Sequence, residues 1–339
     1  MTQSGRPALS IIFRSSRRLP LICICAAMTG AALAFLVLVG LAAAQAPLHS
    51  DSSQPSIAAD HEPITPIPPP PAADPLKLAL GELLFGDSRL SADGSLACSS
   101  CHDIRTNGAG ANNAEPANDR SEPFDTLTVF NAALNFRQNW EGNFRDLADQ
   151  LQSSLENPVN MRTSVEDVVR KLNADPRIVS QFSAAYGSPP NRANFLDAMV
   201  TFERSLLTPG SRFDRWLGGD ASALSAGEHE GYRLFKSLGC SSCHQGVNVG
   251  GNLFQRQGVF HPLVRGPPEI VRVPSLRNVA TTAPYFHDGS AATLEDAVRR
   301  MAAAQLDRSL TGQQVASIVT FLQTLTGNYR GSPVAGAAP

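Results

Sequence analysis

The sequence predicts an all-α protein, in which two similar helical domains follow an N-terminal export segment and a proline-rich linker. Apolar residues recur at helical spacing along most of the 339 residues, while strand signals are weak. The pattern Cys-Ser-Ser-Cys-His occurs at 98–102 and again at 240–244, each time after a short amphipathic helix. A formal net charge of −2 gives no reason to expect a nucleic-acid partner.

The segment 1–46 has the features of an export signal. A basic region with three arginines precedes an almost wholly apolar stretch at 19–44, and small residues ending at Ala46 resemble a signal-peptidase site. The apolar stretch is also long enough to span a bilayer, for which about 20 residues suffice, so an uncleaved membrane anchor is the alternative. In either case the rest of the chain is expected in the periplasm.

The remaining chain divides by composition. A disordered linker is expected at 47–74, because Ser, Asp and Pro dominate it and four consecutive prolines favour an extended, poorly packed chain. An N-terminal domain is expected at 75–222 and a C-terminal domain at 223–330. The segment 331–339 is expected to be a tail.

Capping signals and apolar periodicity place the helices. The first domain begins with a helix ahead of Cys98. Further helices are expected near 144–155, 164–172, 176–186 and 192–206. In the second domain a capping box, Ser225 with Glu228, opens the helix before Cys240. Two helices close the chain, one starting at Thr293 and one over 311–325.

The repeated motif is the attachment sequence of a c-type haem. Two thiols on one helical turn can each form a thioether with a haem vinyl group, and the following His can bind the iron. The attaching residues are Cys98, Cys101, Cys240 and Cys243, and the iron-binding residues are His102 and His244. A structural zinc site or a redox dithiol is the alternative, but neither explains why a His follows each second Cys. We therefore expect two covalently bound haem c groups.

An ordered series of shorter stretches runs from about Asp74 to Gly327. It includes Thr128-Val129-Phe130-Asn131, Phe202-Glu203-Arg204, Phe213-Asp214-Arg215 and the block 273–289. With these stretches the chain resembles the bacterial di-haem cytochrome c peroxidase family, which includes the di-haem enzymes that mature the cofactor of methylamine dehydrogenase. The resemblance implies a peroxide-reducing first haem and a second haem that takes electrons from a small cytochrome c or cupredoxin.

The resemblance also implies roles for single residues. Met301 lies at the family's distance after His287, so it is the expected sixth ligand of the second haem. A thioether ligand raises the reduction potential, which suits an electron-accepting haem. Trp140 matches the Trp that lies between the haems and is the expected electron relay. The alternative role of both residues is core packing.

The first haem site departs from the family. No His occurs between His102 and His229, where the family often has a distal His, and Asn160 stands where the family has a Glu. Asn cannot move a proton. The expected catalytic residues are nevertheless Asn160 and Gln150, together with the relay Trp140. The side-chain amides of Asn160 and Gln150 can orient peroxide. Glu156 is either a substitute acid or a solvated helix residue.

A calcium ion between the haems is a further implication of the resemblance. Asp125 would supply a side-chain oxygen, and Thr282 and Pro284 would supply backbone carbonyls, which are ligands that calcium accepts. The first functional hypothesis is a hydrogen peroxide reductase. The alternatives are a di-haem oxidase of a protein or organic substrate and a non-enzymatic electron carrier. The sequence leaves the donor and the oligomeric state, including a homodimer, open.

Overall fold

The computed structural model describes residues 62–110, 124–264 and 267–336. Within these ranges the chain forms nine α-helices, several short 3-10 turns and two short β-hairpins, which confirms a mostly helical protein. No helix in the described ranges is both long enough and apolar enough to cross a membrane. The expected signal or anchor at 1–46 lies outside the described residues.

The first domain is built from five helices. They are α1 (Pro75–Phe85), α2 (Leu147–Glu156), α3 (Val165–Asn173), α4 (Pro176–Tyr186) and α5 (Arg192–Ser205). The Asp74 side chain accepts hydrogen bonds from the first backbone N–H groups of α1, and Pro75 starts that helix. α1 packs tightly on α5 at Gly81, where a Cβ would lie 2.2 Å from the Ala198 carbonyl oxygen.

The second domain has four helices. They are α6 (Arg212–Leu217), α7 (Ala226–Ser237), α8 (Leu294–Leu306) and α9 (Gly312–Gln323). The first of them lies before the expected boundary at 222/223. That boundary is wrong, because Phe213 and Leu217 are buried in the core of the second domain. The capping box at Ser225 and the Thr293 cap are both present, as predicted. Gly231 lets α7 touch α9, because a Cβ there would lie 2.0 Å from the Ser317 carbonyl oxygen. An antiparallel hairpin of β1 (Phe254–Arg256) and β2 (Ile270–Arg272) extends from this domain.

A strap at 62–67 packs against the second domain before the chain enters the first. Ile64 is buried in the core of the second domain. Glu62 accepts a hydrogen bond from the Tyr232 hydroxyl at 2.5 Å and pairs with Lys236 at 2.9 Å. The expectation of a poorly packed linker is therefore wrong for this part of 47–74, because Ile64 and Ile67, which lie between the prolines, are both buried.

The end of the chain returns to the first domain. A hairpin of β3 (Asn328–Tyr329) and β4 (Ser332–Pro333) follows α9, and Val334 is buried in the core of the first domain. Arg330 pairs with Glu82 of α1 at 2.5 Å. The expectation of a tail from 331 is therefore wrong as far as residue 336, because this segment completes a core that begins with α1.

The two domains meet at a buried polar junction. Asn131 and Asn278 occupy equivalent places, each with left-handed backbone (φ 61° and 60°) ahead of a 3-10 turn. Their side-chain amides donate to the same hydroxyl, that of Thr208, at 2.8 and 3.0 Å. Left-handed backbone favours Asn among side-chain-bearing residues, so these two residues link the repeated domains through one threonine.

Candidate haem sites

Both Cys-Ser-Ser-Cys-His segments fold in the same way. Cys98–Ser100 and Cys240–Ser242 each form a single 3-10 turn, and the N–H of the following His donates to the carbonyl of the first Cys. Burial raises the pKa of Cys98 to about 12 and that of Cys240 to about 11.

The two motif histidines are held by matching hydrogen bonds. His102 Nδ1 donates to the Gly108 carbonyl, and His244 Nδ1 donates to the Val249 carbonyl, both at 3.2 Å. Because a carbonyl only accepts, Nδ1 must carry the proton and Nε2 keeps its lone pair for a metal. Burial lowers the pKa of His102 and lowers that of His244 to about 4, which keeps both rings neutral.

A cavity of about 460 Å³ lies beside the second motif. Its lining includes Cys240, Cys243, His244, His287, Arg272 and Met301. The structure therefore brings the predicted ligand pair, His244 and Met301, to one apolar-walled space. Among the described residues, no group of three or more His, Cys, Asp or Glu side chains is arranged to hold a metal ion.

Two residues that line this cavity, Arg272 and His287, test whether a haem fits. Each has a buried side-chain nitrogen, Nη1 and Nδ1, with no hydrogen-bond partner among the described residues. Buried polar groups in proteins are normally hydrogen-bonded. A haem is largely apolar but carries carboxylates, so it fits an apolar-walled cavity that is lined by an arginine without an acidic partner among the described residues.

Trp140 also lines the second-haem cavity. Its indole is nearly buried, at 9% exposure, and its Nε1 donates to the Asp125 carbonyl at 2.9 Å. The ring meets His287 edge to face, with 6.2 Å between centroids. The same cavity reaches Ala109, which follows the hydrogen-bond acceptor of His102. Trp140 is thus placed in a wall that extends from the second motif toward the first.

The three residues expected to bind calcium line the same cavity. Asp125, Thr282 and Pro284 all line the cavity, and the Asp125 N–H donates to the His287 carbonyl at 2.6 Å. Burial raises the pKa of the Asp125 carboxyl to about 6. No basic side chain of the described residues offsets this burial, so a cation would stabilise the ionised carboxylate.

The expected distal residues, Gln150 and Asn160, belong to the first domain and do not line that cavity. Gln150 is on α2 and donates to the Ser154 hydroxyl at 2.8 Å, while Asn160 follows in a turn closed on the Asn157 carbonyl at 3.1 Å. α2 packs into the same core as Cys98. Glu156 is exposed and accepts from Gln152, as expected for a solvated helix residue.

Several further side chains have structural roles. Met161 and Met199 are buried in the first-domain core. Trp216 packs against Phe213 and Tyr232. His261 is exposed and bonds Asp307.

Two ionisable side chains with buried polar atoms, Glu203 and Arg272, escaped the sequence analysis. Glu203 lies near Cys98, its Oε2 is buried without a hydrogen-bond partner among the described residues, and burial raises its pKa to about 8. Its spacing of four from Met199 places it on the buried face of α5, which was an available signal. No local pattern in the sequence indicates that Arg272 is buried, because its burial depends on contacts with residues far along the chain.

The fold and these sites define a c-type cytochrome with two haem-binding domains, each with a complete attachment motif and a neutral, oriented histidine. The family profile described as di-haem cytochrome c peroxidase matches residues 75–222, and the cytochrome c profile matches 229–326.

Characterised relatives agree with this class. Cytochrome c551 peroxidase from Nitrosomonas europaea is 38% identical over 80% of this chain and 86% of its own length. The enzyme of that name from Pseudomonas aeruginosa is 36% identical, over 73% of this chain and 78% of its own length. The methylamine utilization protein MauG from Methylorubrum extorquens is 33% identical, over 75% and 74%. The chain belongs to the di-haem cytochrome c peroxidase family.

Solved structures support the same fold. A MauG-like protein associated with microbial copper homeostasis superposes with a TM-score of 0.66 at 26% identity, covering 77% of this chain and 93% of that one. The di-haem peroxidase BthA from Burkholderia thailandensis gives 0.62 at 19% identity, over 80% and 94%. The protein is therefore a di-haem oxidoreductase of the peroxidase type with two covalently bound haem c groups.

Proposed function

We propose that the protein reduces hydrogen peroxide to water at the first haem, with electrons that enter through the second haem. The observation that carries this proposal is the single cavity lined by His244, Met301, Trp140 and Ala109, which links the second motif to the surroundings of His102. Peroxide reduction consumes two electrons, and each bound haem supplies a one-electron redox centre. Two haems joined by a short path therefore suit this reaction.

Trp140 is the proposed relay along this path. Its indole N–H is held by the Asp125 carbonyl and its backbone carbonyl is held by the Arg272 N–H at 2.8 Å, so the ring has little freedom to turn. A fixed aromatic ring between two redox centres shortens the distance that an electron must tunnel. Calcium at Asp125, Thr282 and Pro284 would hold the same region in place.

The first haem is proposed to be open on its distal side. No His is available between His102 and His229 to close it. Gln150 and Asn160 can donate hydrogen bonds that orient peroxide, but neither amide can take or give the proton that cleavage of the O–O bond requires. Turnover is expected to be slower than with an acid at position 160, by roughly 10²–10⁴-fold at most.

Electrons are proposed to come from a small periplasmic cytochrome c or cupredoxin. An apolar surface lies on and beside the β1–β2 hairpin, where Phe254, Val259, Phe260 and Ile270 are 39–57% exposed. Val259 also lines the second-haem cavity, so this surface continues to the electron-accepting site. Exposed apolar patches mark interaction sites, and a donor that must dock briefly and leave suits a small patch of this kind.

The decisive experiment mixes reduced holoprotein with hydrogen peroxide in a stopped-flow instrument. We expect rapid oxidation of both haems, and Asn160→Glu should increase the rate because it restores a proton-transferring group. Electron paramagnetic resonance of the oxidised protein should contain a high-spin signal from an open first haem. If peroxide is not consumed although a competent reductant is present, the protein is an electron carrier or an oxidase of another substrate.

A further inference from the structure

Arg272 is a buried arginine that has no acidic partner among the described residues. It is 2% exposed, its Nε donates to the Asn139 carbonyl at 3.1 Å, and its Nη1 has no hydrogen-bond partner there. Burial without a compensating carboxylate lowers its pKa to about 10. Buried charges in proteins are normally paired, but no described residue supplies an anion to this guanidinium.

The same residue fixes the loop that carries Trp140. The backbone N–H of Arg272 donates to the Trp140 carbonyl, and its side chain donates to Asn139, which has left-handed backbone (φ 66°). The loop is also packed closely at Gly142, where a Cβ would lie 2.3 Å from the Phe254 ring. One residue of β2 therefore holds both peptides that present the indole.

We propose that Arg272 is a positioning residue, which binds a propionate carboxylate of the second haem and clamps the Trp140 loop against that haem. Arg272 lines the cavity that contains His244 and Met301, and none of the described residues supplies an acidic partner for its guanidinium. Asp125 lines the same cavity but forms no ion pair with Arg272. This inference rests on the proposed electron path between the two haems. It adds to that path a residue that connects the Trp140 relay with the second haem.

Two consequences separate this role from simple packing. A buried cation beside the haem stabilises its reduced form, so Arg272→Gln should lower the reduction potential of the second haem. We expect about a tenfold change in the reduction equilibrium, which corresponds to about 59 mV for a one-electron couple. Arg272→Gln should also slow electron transfer between the haems. Arg272→Lys should restore the reduction potential but not the rate of electron transfer. A lysine keeps the positive charge, but it lacks the planar guanidinium that would hydrogen-bond the Asn139 carbonyl and the propionate carboxylate together.

The experiment uses matured holoprotein with both haems, spectroelectrochemical titration for the potential and flash-initiated absorbance changes for transfer between the haems. Arg233→Gln is the matched control, because Arg233 is an exposed arginine of the same domain, 2.6 Å from Glu230. Neither readout requires peroxide, so failure of the proposed peroxidase activity would leave this test intact. The proposal would be overturned if the Arg272→Gln protein had the wild-type reduction potential of the second haem and the wild-type rate of electron transfer between the haems.

A second measurement does not depend on the variants folding. The crystal structure of the wild-type holoprotein should place a propionate oxygen of the second haem within about 2.7–3.2 Å of a guanidinium nitrogen of Arg272. A free anion or a water molecule at that position, with the propionates elsewhere, would contradict the proposal.

Discussion

Replacement of Glu203 by Gln should change how the stability of the protein depends on pH. Glu203 is a partly buried residue whose Oε2 is inaccessible to solvent and unpaired among the described residues. Burial raises the pKa of its carboxyl from 4.5 to about 8. The folded protein therefore keeps a proton that the unfolded chain releases, and stability falls as pH rises from about 4.5 to about 8.

The size of the effect follows from the pKa difference. A shift of about 3.5 pH units at about 1.4 kcal/mol each amounts to at most about 5 kcal/mol at high pH. Between pH 5 and pH 9 the wild-type protein should lose about 4 kcal/mol of this amount, because Glu203 is already partly ionised at pH 5 in the unfolded chain. Water that reaches the carboxylate would reduce the loss.

Guanidinium unfolding of the holoprotein at several pH values between 5 and 9 measures this dependence. Glu203→Gln keeps the shape and removes the charge, so its unfolding free energy should decline less with pH than that of the wild type. Glu166→Gln is the control, because Glu166 is exposed in the same domain and pairs with Arg192 at 2.9 Å. Parallel pH profiles for the wild type and Glu203→Gln would refute the reasoning.

Three further predictions concern other parts of the molecule. Met301→Ala should lower the potential of the second haem and remove any sulfur-to-iron charge-transfer band; an unchanged spectrum and potential would leave Met301 as a packing residue. Val334→Ala should destabilise the first domain by about 2 kcal/mol in denaturant unfolding, since it deletes buried methyl groups from that core; an effect below roughly 0.5 kcal/mol would contradict the assigned burial. Asp125→Ala should abolish any dependence of inter-haem electron transfer on added calcium, and a calcium response that survives would place the ion elsewhere.

Much of the fold could be predicted because its signals are local. Caps at Ser225 and Thr293 depend on a side chain and a backbone N–H three residues away, and both occur as expected. The haem attachment residues were predictable for the same reason, since covalent attachment requires a fixed spacing. The family resemblance predicts that Met301 lies at the second haem, and in the structure Met301 and His287 both line the cavity beside the second motif.

The missed features depend on partners far along the chain. Ile64 has no periodic apolar neighbours to mark it as buried, and its partners lie more than 100 residues away in the second domain. Val334 follows a short polar hairpin and packs on helices at the opposite end of the sequence. The burial of Arg272 likewise depends on the Trp140 loop of the other domain, so no local pattern could reveal it.

The hairpin at the end of the chain has a consequence for biogenesis. The first haem domain is synthesised first, yet its core includes Val334 and its α1 pairs with Arg330. Cys98 and Cys101 are therefore synthesised long before the residue that completes the core of their domain. We expect that core to stay incomplete, and the first motif to stay accessible to haem attachment, until the end of the chain has been made.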